Sequence, residues 1–229
     1  RCGGETVGNP IRLLMFSDIN PVKFVNSDTN NVMADIATPA ADWASNYPIF
    51  GVHHANRVWA GGNANDRHRL YYTTTANHRD FAGGGTLSIF PGEGHIIVGA
   101  VSFRGLLIVW KYPRGIYIVD TRDPTPANWS VSKLSNAVGA VGPQAIVPIS
   151  NDVMFLDPTG AFHLLSAIQE FGDVKTSDFG QFADIRTYMR RTAEIPNLHK
   201  SIGVWYPDKS KAYYHMPKLG TAETLDLRM

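Results

Sequence analysis

Asn56-Arg-Val-Trp-Ala-Gly-Gly-Asn-Ala-Asn-Asp-Arg-His-Arg-Leu-Tyr-Tyr72 places a glycine-rich loop between two apolar stretches, and the element behind the loop decides the fold. A loop that cradles phosphate needs a helix behind it, because the helix N-terminus supplies converging N–H groups and positive dipole density. Here the loop runs into Leu70-Tyr-Tyr-Thr-Thr-Thr75, an aromatic and β-branched run that fits a pleated, half-buried strand. The stretch therefore predicts a long hairpin turn in a β protein and no ligand cradle.

Outward from that stretch, similar apolar cores recur at about 50-residue spacing, the period of long propeller blades. They are Val58-Trp59, Leu107-Ile-Val-Trp110, Val153-Met-Phe155 and Gly203-Val-Trp-Tyr206. Short polar turns precede the first three: His54-Ala-Asn-Arg57, Ser102-Phe-Arg-Gly105 and Ser150-Asn-Asp152. Second strands come next at Arg114–Asp120, Ala161–Leu165 and Ala212–Met216, with turn chemistry at Asp157-Pro-Thr-Gly160 and Tyr206-Pro-Asp-Lys-Ser210. Ile11–Phe16 and Val22–Val25 read as strands of one further unit. The expectation is an all-β chain, a β-propeller of four to five blades, with residues 1–229 forming a single propeller domain or part of one. Trp59, Trp110, Phe155 and Trp205 form the expected blade cores, and Tyr71 and Tyr72 pack between blades. One helix is expected around 178–191, capped by Asp178, with Phe179, Phe182, Ile185, Tyr188 and Met189 as its apolar side. Its Arg186, Arg190 and Arg191 are expected in solvent.

Composition narrows the function. The chain has 229 residues, with 21 Lys and Arg against 20 Asp and Glu, which gives no basis for a strong nucleic-acid clamp or a basic membrane anchor. Its one cysteine, Cys2, excludes an internal disulfide and a multi-cysteine zinc site. No stretch is long and apolar enough for a membrane-spanning helix, so no membrane partner is expected. The chain opens on Arg1 and holds few blades for a closed ring, so the sequence reads as an interior piece of a longer protein.

The candidate chemistry is sparse. His53 and His54 are neighbours on a strand, where alternate residues face opposite sides, so one ring should point in and one out, with no shared metal. Asp120, Asp152, Asp157 and Glu93 lie near strand ends among turn residues; a glycosidase would need two of them across a cleft. No nucleophile elbow occurs, and Cys2 lies too near the start for a convincing nucleophile. No catalytic residue, metal or cofactor is expected. Basic residues gather at Arg67-His-Arg69, at Arg190-Arg191 and at Lys209-Ser-Lys211, and they would touch phosphate if this surface faced DNA.

Three runs carry a family resemblance. They are His53–Ala64 with Arg69–Thr73 and Asn77–Phe81 after it; Ile97–Ile118, with Phe-Arg-Gly-Leu-Leu-Ile-Val-Trp-Lys at its centre; and Val141–Gly160, with Asn-Asp-Val-Met-Phe-Leu-Asp-Pro-Thr-Gly at its end. Together they resemble the β-propeller tail proteins set below the portal of short-tailed bacteriophages, the nozzle or tail tubular protein B, and the related packaged-DNA stabilisation proteins. The resemblance spans roughly Phe16 to His215 and departs from the pattern at Thr73-Thr-Thr-Ala-Asn77. It implies a structural virion protein in a homo-oligomeric, six-copy ring, beside adaptor or portal-proximal proteins, that conducts and gates the genome through transient contact with double-stranded DNA. It brings no enzymatic motif. The competing expectation is a carbohydrate-binding or glycoside-hydrolase propeller at a tail tip.

Overall fold

A computed structural model describes residues 12–26, 32–43, 46–166, 183–221 and 224–229. Cys2, Ile11, Asp178, Phe179 and Phe182, which figured in the sequence reading, lie outside them. The protein is mostly β-sheet; its described residues form five antiparallel sheets, and each sheet takes its strands in chain order. The first contains β1 (Arg12–Met15), β2 (Lys23–Asn26) and β3 (Met33–Asp35). The second contains β4 (Phe50–His54), β5 (Arg57–Gly61), β6 (Arg69–Tyr72) and β7 (Gly85–Ser88). Next come β8 (Ile96–Phe103), β9 (Leu106–Tyr112), β10 (Ile116–Asp120) and β11 (Ser130–Ser135). The fourth sheet is β12 (Ile146–Ile149), β13 (Asp152–Leu156) and β14 (Phe162–Leu164), and the fifth is β15 (Ile202–Tyr206), β16 (Lys211–Pro217) and β17 (Thr224–Arg228).

The polar turns do what their residues favour. Ala55 and Asn56 both take positive φ, at 49° and 54°, which makes a two-residue turn whose twist matches that of the flanking strands. Arg104 and Gly105 repeat this at 49° and 76°. The glycine-rich loop is a hairpin connection: β5 and β6 pair Trp59 with Tyr72 and Gly61 with Leu70 on either side of it. Asn63, fully buried, organises the loop by accepting from the Asn65 N–H at 2.9 Å and donating to the Asn46 carbonyl at 2.5 Å.

Two compact units divide the chain, residues 1–107 with 120–130, and residues 108–119 with 131–229. In the first unit, Leu14, Phe16 and Phe24 pack on one face of the second sheet, against Val58, Ala60 and Tyr71. Glycine at 51 permits this approach, since a Cβ there would overlap the Phe16 ring. The opposite face presents Trp59, which meets Tyr72 at 5.0 Å and Trp129 at 5.1 Å between ring centroids. The Arg57 guanidinium covers Tyr72 and Trp129 at 5.3 and 5.6 Å, a favourable placement for a cation over a ring.

The second unit repeats the arrangement. Phe155 and His163 face one side of the fourth sheet, where Phe155 meets the buried Trp110 edge-on at 5.6 Å. Met154, Leu156 and Phe162 face the other side and join Ala212, Tyr214 and Met216 of β16 in one core. Gly203 sits where a Cβ would strike Val147, so the fifth sheet approaches the fourth closely. Trp59, Trp110 and Phe155 are fully buried, whereas Trp205 is half-buried against the core of the second unit.

The described part of the expected helix is α1 (Ala183–Thr192). Met189 is buried and Ile185 half-buried, but Tyr188 is 49 % exposed, because it lies a third of a turn from Met189 and faces away from the core. Arg190 and Arg191 are exposed. Arg186, expected in solvent, is half-buried instead, and its guanidinium donates to the Thr159 hydroxyl at 3.4 Å. Among the described residues no helix is long and apolar enough to cross a membrane.

Candidate functional site

Asp42, Asp66, Arg69 and Tyr71 converge in the first unit. Asp66, three residues before Arg69, reaches the same guanidinium nitrogen as Asp42, and both contacts are 3.1 Å. The Tyr71 hydroxyl donates to the same two carboxylates, at 2.7 Å to Asp42 and 3.2 Å to Asp66. Burial, then the hydrogen bond to Asp42 and the two negative charges, pushes the Tyr71 phenol well above its ordinary value. It therefore stays protonated and acts as a donor. Two like charges are held together here by one cation and one hydroxyl, so the charge of Arg69 is fully matched and the cluster keeps one net negative charge.

Arg67 has a different environment. It is exposed, and its Nε donates to the Ala64 carbonyl at 3.2 Å. It lines a hollow of about 330 Å3 together with Asn65, His68, Phe90, Glu93 and His95. The hollow thus holds one carboxylate among an arginine and two imidazoles. His95 Nδ1 is buried there with no hydrogen-bond partner among the described residues. Phe90 takes φ of 40°, a left-handed backbone unusual for an aromatic residue, at the turn that forms the far wall.

The other expected basic residues belong to the second unit. Arg190 and Arg191 stand in the last turn of α1, where the helix dipole favours positive charge. Lys209 lies over the Tyr206 ring at 5.8 Å, and half-buried Lys211 opens β16. Arg69 stands apart from the other five, since its charge is committed to Asp42 and Asp66.

The carboxylates singled out by sequence mostly serve their own turns. Asp157 is buried; its Oδ1 accepts from the Thr159 N–H, the Thr159 hydroxyl and the Ala161 N–H at 2.8, 2.8 and 2.9 Å. Its Oδ2 meets His163 Nε2 at 3.0 Å. Burial alone would raise the Asp157 pKa, but the His163 and backbone hydrogen bonds outweigh it and hold the group below its ordinary value. Asp152 accepts from the Val153 and Ser166 N–H groups and from the Ser166 hydroxyl. Asp120 pairs with Arg122, whose hydrogen bonds bring its pKa down to about 2. Glu93 lines the hollow beside Arg67 and His95.

The two histidines separate by face. His53 is exposed. His54 is buried, with Nδ1 at 2.8 Å from the Ser102 hydroxyl and Nε2 at 2.8 Å from that of Thr121. Burial, and then the neighbouring His53, lowers its pKa and keeps the ring neutral. Among the described residues no three His, Cys, Asp or Glu side chains converge as metal ligands do.

Sequence reading missed Asp42, Asp66 and His95. The Asp66-x-x-Arg69 spacing was a usable local signal for one of these contacts; the approach of Asp42 from the preceding loop had none. No protein-family model matches the chain, and no curated protein matches it.

Proposed function

We propose that the chain is a structural protein of a tailed-phage virion, a propeller-type part of the tail nozzle below the portal that conducts and gates the genome. The observation that carries this reading is the stacking, within each unit, of successive sheets face to face in chain order. Phe16 on Gly51 and Val147 on Gly203 are the contacts that bring one sheet onto the next. Blades of a propeller succeed one another in this way. Of these residues Val147 lies in a run that resembles the phage tail proteins, Val141–Gly160.

The charges suit a conduit. A wall that neutralised many phosphates would hold DNA, since each released counterion adds salt-dependent affinity. Here Arg69 is neutralised internally, leaving Arg67, Arg190, Arg191, Lys209 and Lys211 for transient, sequence-independent contact with double-stranded DNA. In this reading the protein works as a homo-oligomeric ring, six copies in the related proteins, seated on adaptor or portal-proximal partners, and it needs no cofactor.

Light scattering with and without the neighbouring tail proteins tests the reading. A ring of about six copies, alone or formed only on its neighbours, supports it. A monomer indifferent to those neighbours overturns it. The competing glycoside-hydrolase reading would draw on the Asp42 and Asp66 pair, but a guanidinium nitrogen at 3.1 Å from both fills the gap that a sugar would need. Release of reducing sugar from host surface glycans, abolished by Asp66→Asn, would favour that reading.

A further inference from the structure

The fifth sheet is covered on one face only. Trp205 of β15, Ala212, Tyr214 and Met216 of β16, and Leu227 of β17 turn toward the core of the second unit. Alternation along each strand puts their neighbours on the other face. There Ile202, Val204 and Tyr206 are 48, 58 and 41 % exposed. The register sets Val204, Tyr213 and Arg228 in one row across the three strands, between a row with Tyr206 and Lys211 and a row with Ile202, His215 and Asp226. Three cations gather toward one end of this face. Arg228 lies over the Tyr213 ring at 6.0 Å and Lys209 over that of Tyr206 at 5.8 Å; neither they nor Lys211 has a carboxylate within ion-pair distance among the described residues. Of the nearby carboxylates, Asp226 is held by His215 at 2.6 Å and Asp208 belongs to the turn before Lys209, so the three cations outnumber them.

We infer that this face binds single-stranded DNA, with bases stacked on Tyr206 and Tyr213 beside Ile202 and Val204, and phosphates at Lys209, Lys211 and Arg228. An unpaired strand presents flat apolar base faces and one negative charge per nucleotide together, which suits tyrosines edged by free cations. A duplex keeps its base faces inside the stack, so it would meet the cations and leave the apolar residues in water. A second copy of the same face would set like charges together and bury cations without partners. A glycan brings hydroxyls that need hydrogen-bonding partners, and along β15 this face offers two aliphatic side chains and one phenol; a ribose 2′-hydroxyl meets the same lack, which favours DNA over RNA. Three strands and five residues span about 10 by 13 Å, room for about two or three nucleotides. The inference does not depend on the tail assignment, since contact with a duplex at Lys209 and Lys211 would not use the tyrosines.

The test uses the full chain with its valine methyl groups labelled for NMR, and Val204→Thr, a mild change at an exposed position, identifies the Val204 signals. Oligothymidylate of about ten nucleotides, longer than the face, should shift those signals through the ring currents of stacked bases. By fluorescence anisotropy it should bind about tenfold more tightly than a duplex of similar phosphate count, and at least as tightly as oligouridylate. Tyr206→Ala should weaken binding about tenfold with the urea midpoint nearly unchanged. Three phosphate contacts give a slope of log K against log salt of about −2, at about 0.7 per contact on a single strand, and Lys211→Gln with Arg228→Gln should bring it to about −0.7.

The inference is overturned if oligothymidylate leaves the Val204 signals in place, or if duplex DNA, polyglutamate or an acidic oligosaccharide moves them at equal or lower concentration. It is equally overturned if oligouridylate binds more tightly, if Tyr206→Ala leaves the affinity unchanged, or if the double variant keeps the full salt slope.

Discussion

Asp157 offers the sharpest test of how the second unit is held. Its carboxylate is 6 % exposed and receives four hydrogen bonds, three on Oδ1 and one on Oδ2. Asp157→Ala strands the Ala161 and Thr159 N–H groups and removes the partner of His163. Breaking a buried, hydrogen-bonded pair from one side costs about 3–5 kcal/mol. For a chain of this size that is a fall in Tm of roughly 10 °C, at a few degrees per kcal/mol. Asp157→Asn keeps the shape and the three Oδ1 contacts but removes the charge and turns an NH2 group toward His163 Nε2 in place of an acceptor, so the expected loss is smaller than for Asp157→Ala, about 2 kcal/mol. The sign of the pH dependence comes from the lowered pKa of Asp157. The folded state binds the proton more weakly than the unfolded chain, so the stabilisation is complete above the ordinary value of 3.8 and is lost as pH falls through the depressed folded value. Urea unfolding monitored by circular dichroism should show wild type and Asp157→Asn separated at pH 7 and converging in acid. Equal midpoints at pH 7, or a gap that persists undiminished below pH 3, would refute the reasoning.

His54 acts in a neighbouring pH range. Its folded pKa lies below 6.5, so it stabilises the protein above that value and loses the contribution as pH falls toward the folded pKa; His54→Ala should cost about 2–4 kcal/mol at pH 8 and flatten the slope of stability between pH 7 and 5. Gly84 faces the Tyr72 carbonyl, where any Cβ would overlap backbone atoms, so Gly84→Ala should destabilise by about 1–3 kcal/mol, read as a lower urea midpoint with unchanged slope. Val109 is fully buried and Val204 is 58 % exposed, so Val109→Thr should cost about 1–3 kcal/mol, whereas Val204→Thr should stay within about 0.5 kcal/mol, both measured by thermal unfolding.

Hairpins were the most legible part of the fold. Asn56, Gly105 and the Asp157–Gly160 turn are short-range signals, because a turn is fixed by the backbone preferences of a few adjacent residues. The residues that make two strands pair across such a turn are also close in sequence, as with Trp59 and Tyr72. Contacts between loops carry no such signal. Asp42 meets Arg69 from another connection, and Trp129 lies against Trp59 although β6, β7 and three strands of the third sheet separate them in the chain. A period of two shows which residues share a face and is silent on what covers that face. The same limit explains Arg186: helical spacing placed it away from Met189, but only the fold shows that Thr159 receives it there.

The burial of individual strands shows why some cores were conspicuous and others were not. In β5, β9 and β13 nearly every residue is buried, because both faces of the strand are covered. Such strands need continuous apolar runs, and Leu-Leu-Ile-Val-Trp or Val-Met-Phe-Leu stands out from its surroundings. In β15 burial alternates along the strand, so Trp205 is half-covered while Val204 and Tyr206 face outward. In β3 all three residues are exposed, and its Met-Ala-Asp sequence shows no pattern that could have marked it as a strand. Covering a strand on both faces simplifies its sequence to apolar residues, while covering one face leaves half its positions free to vary. The cores read most easily from sequence are therefore those enclosed on both sides, and these are also the positions where one polar atom costs most.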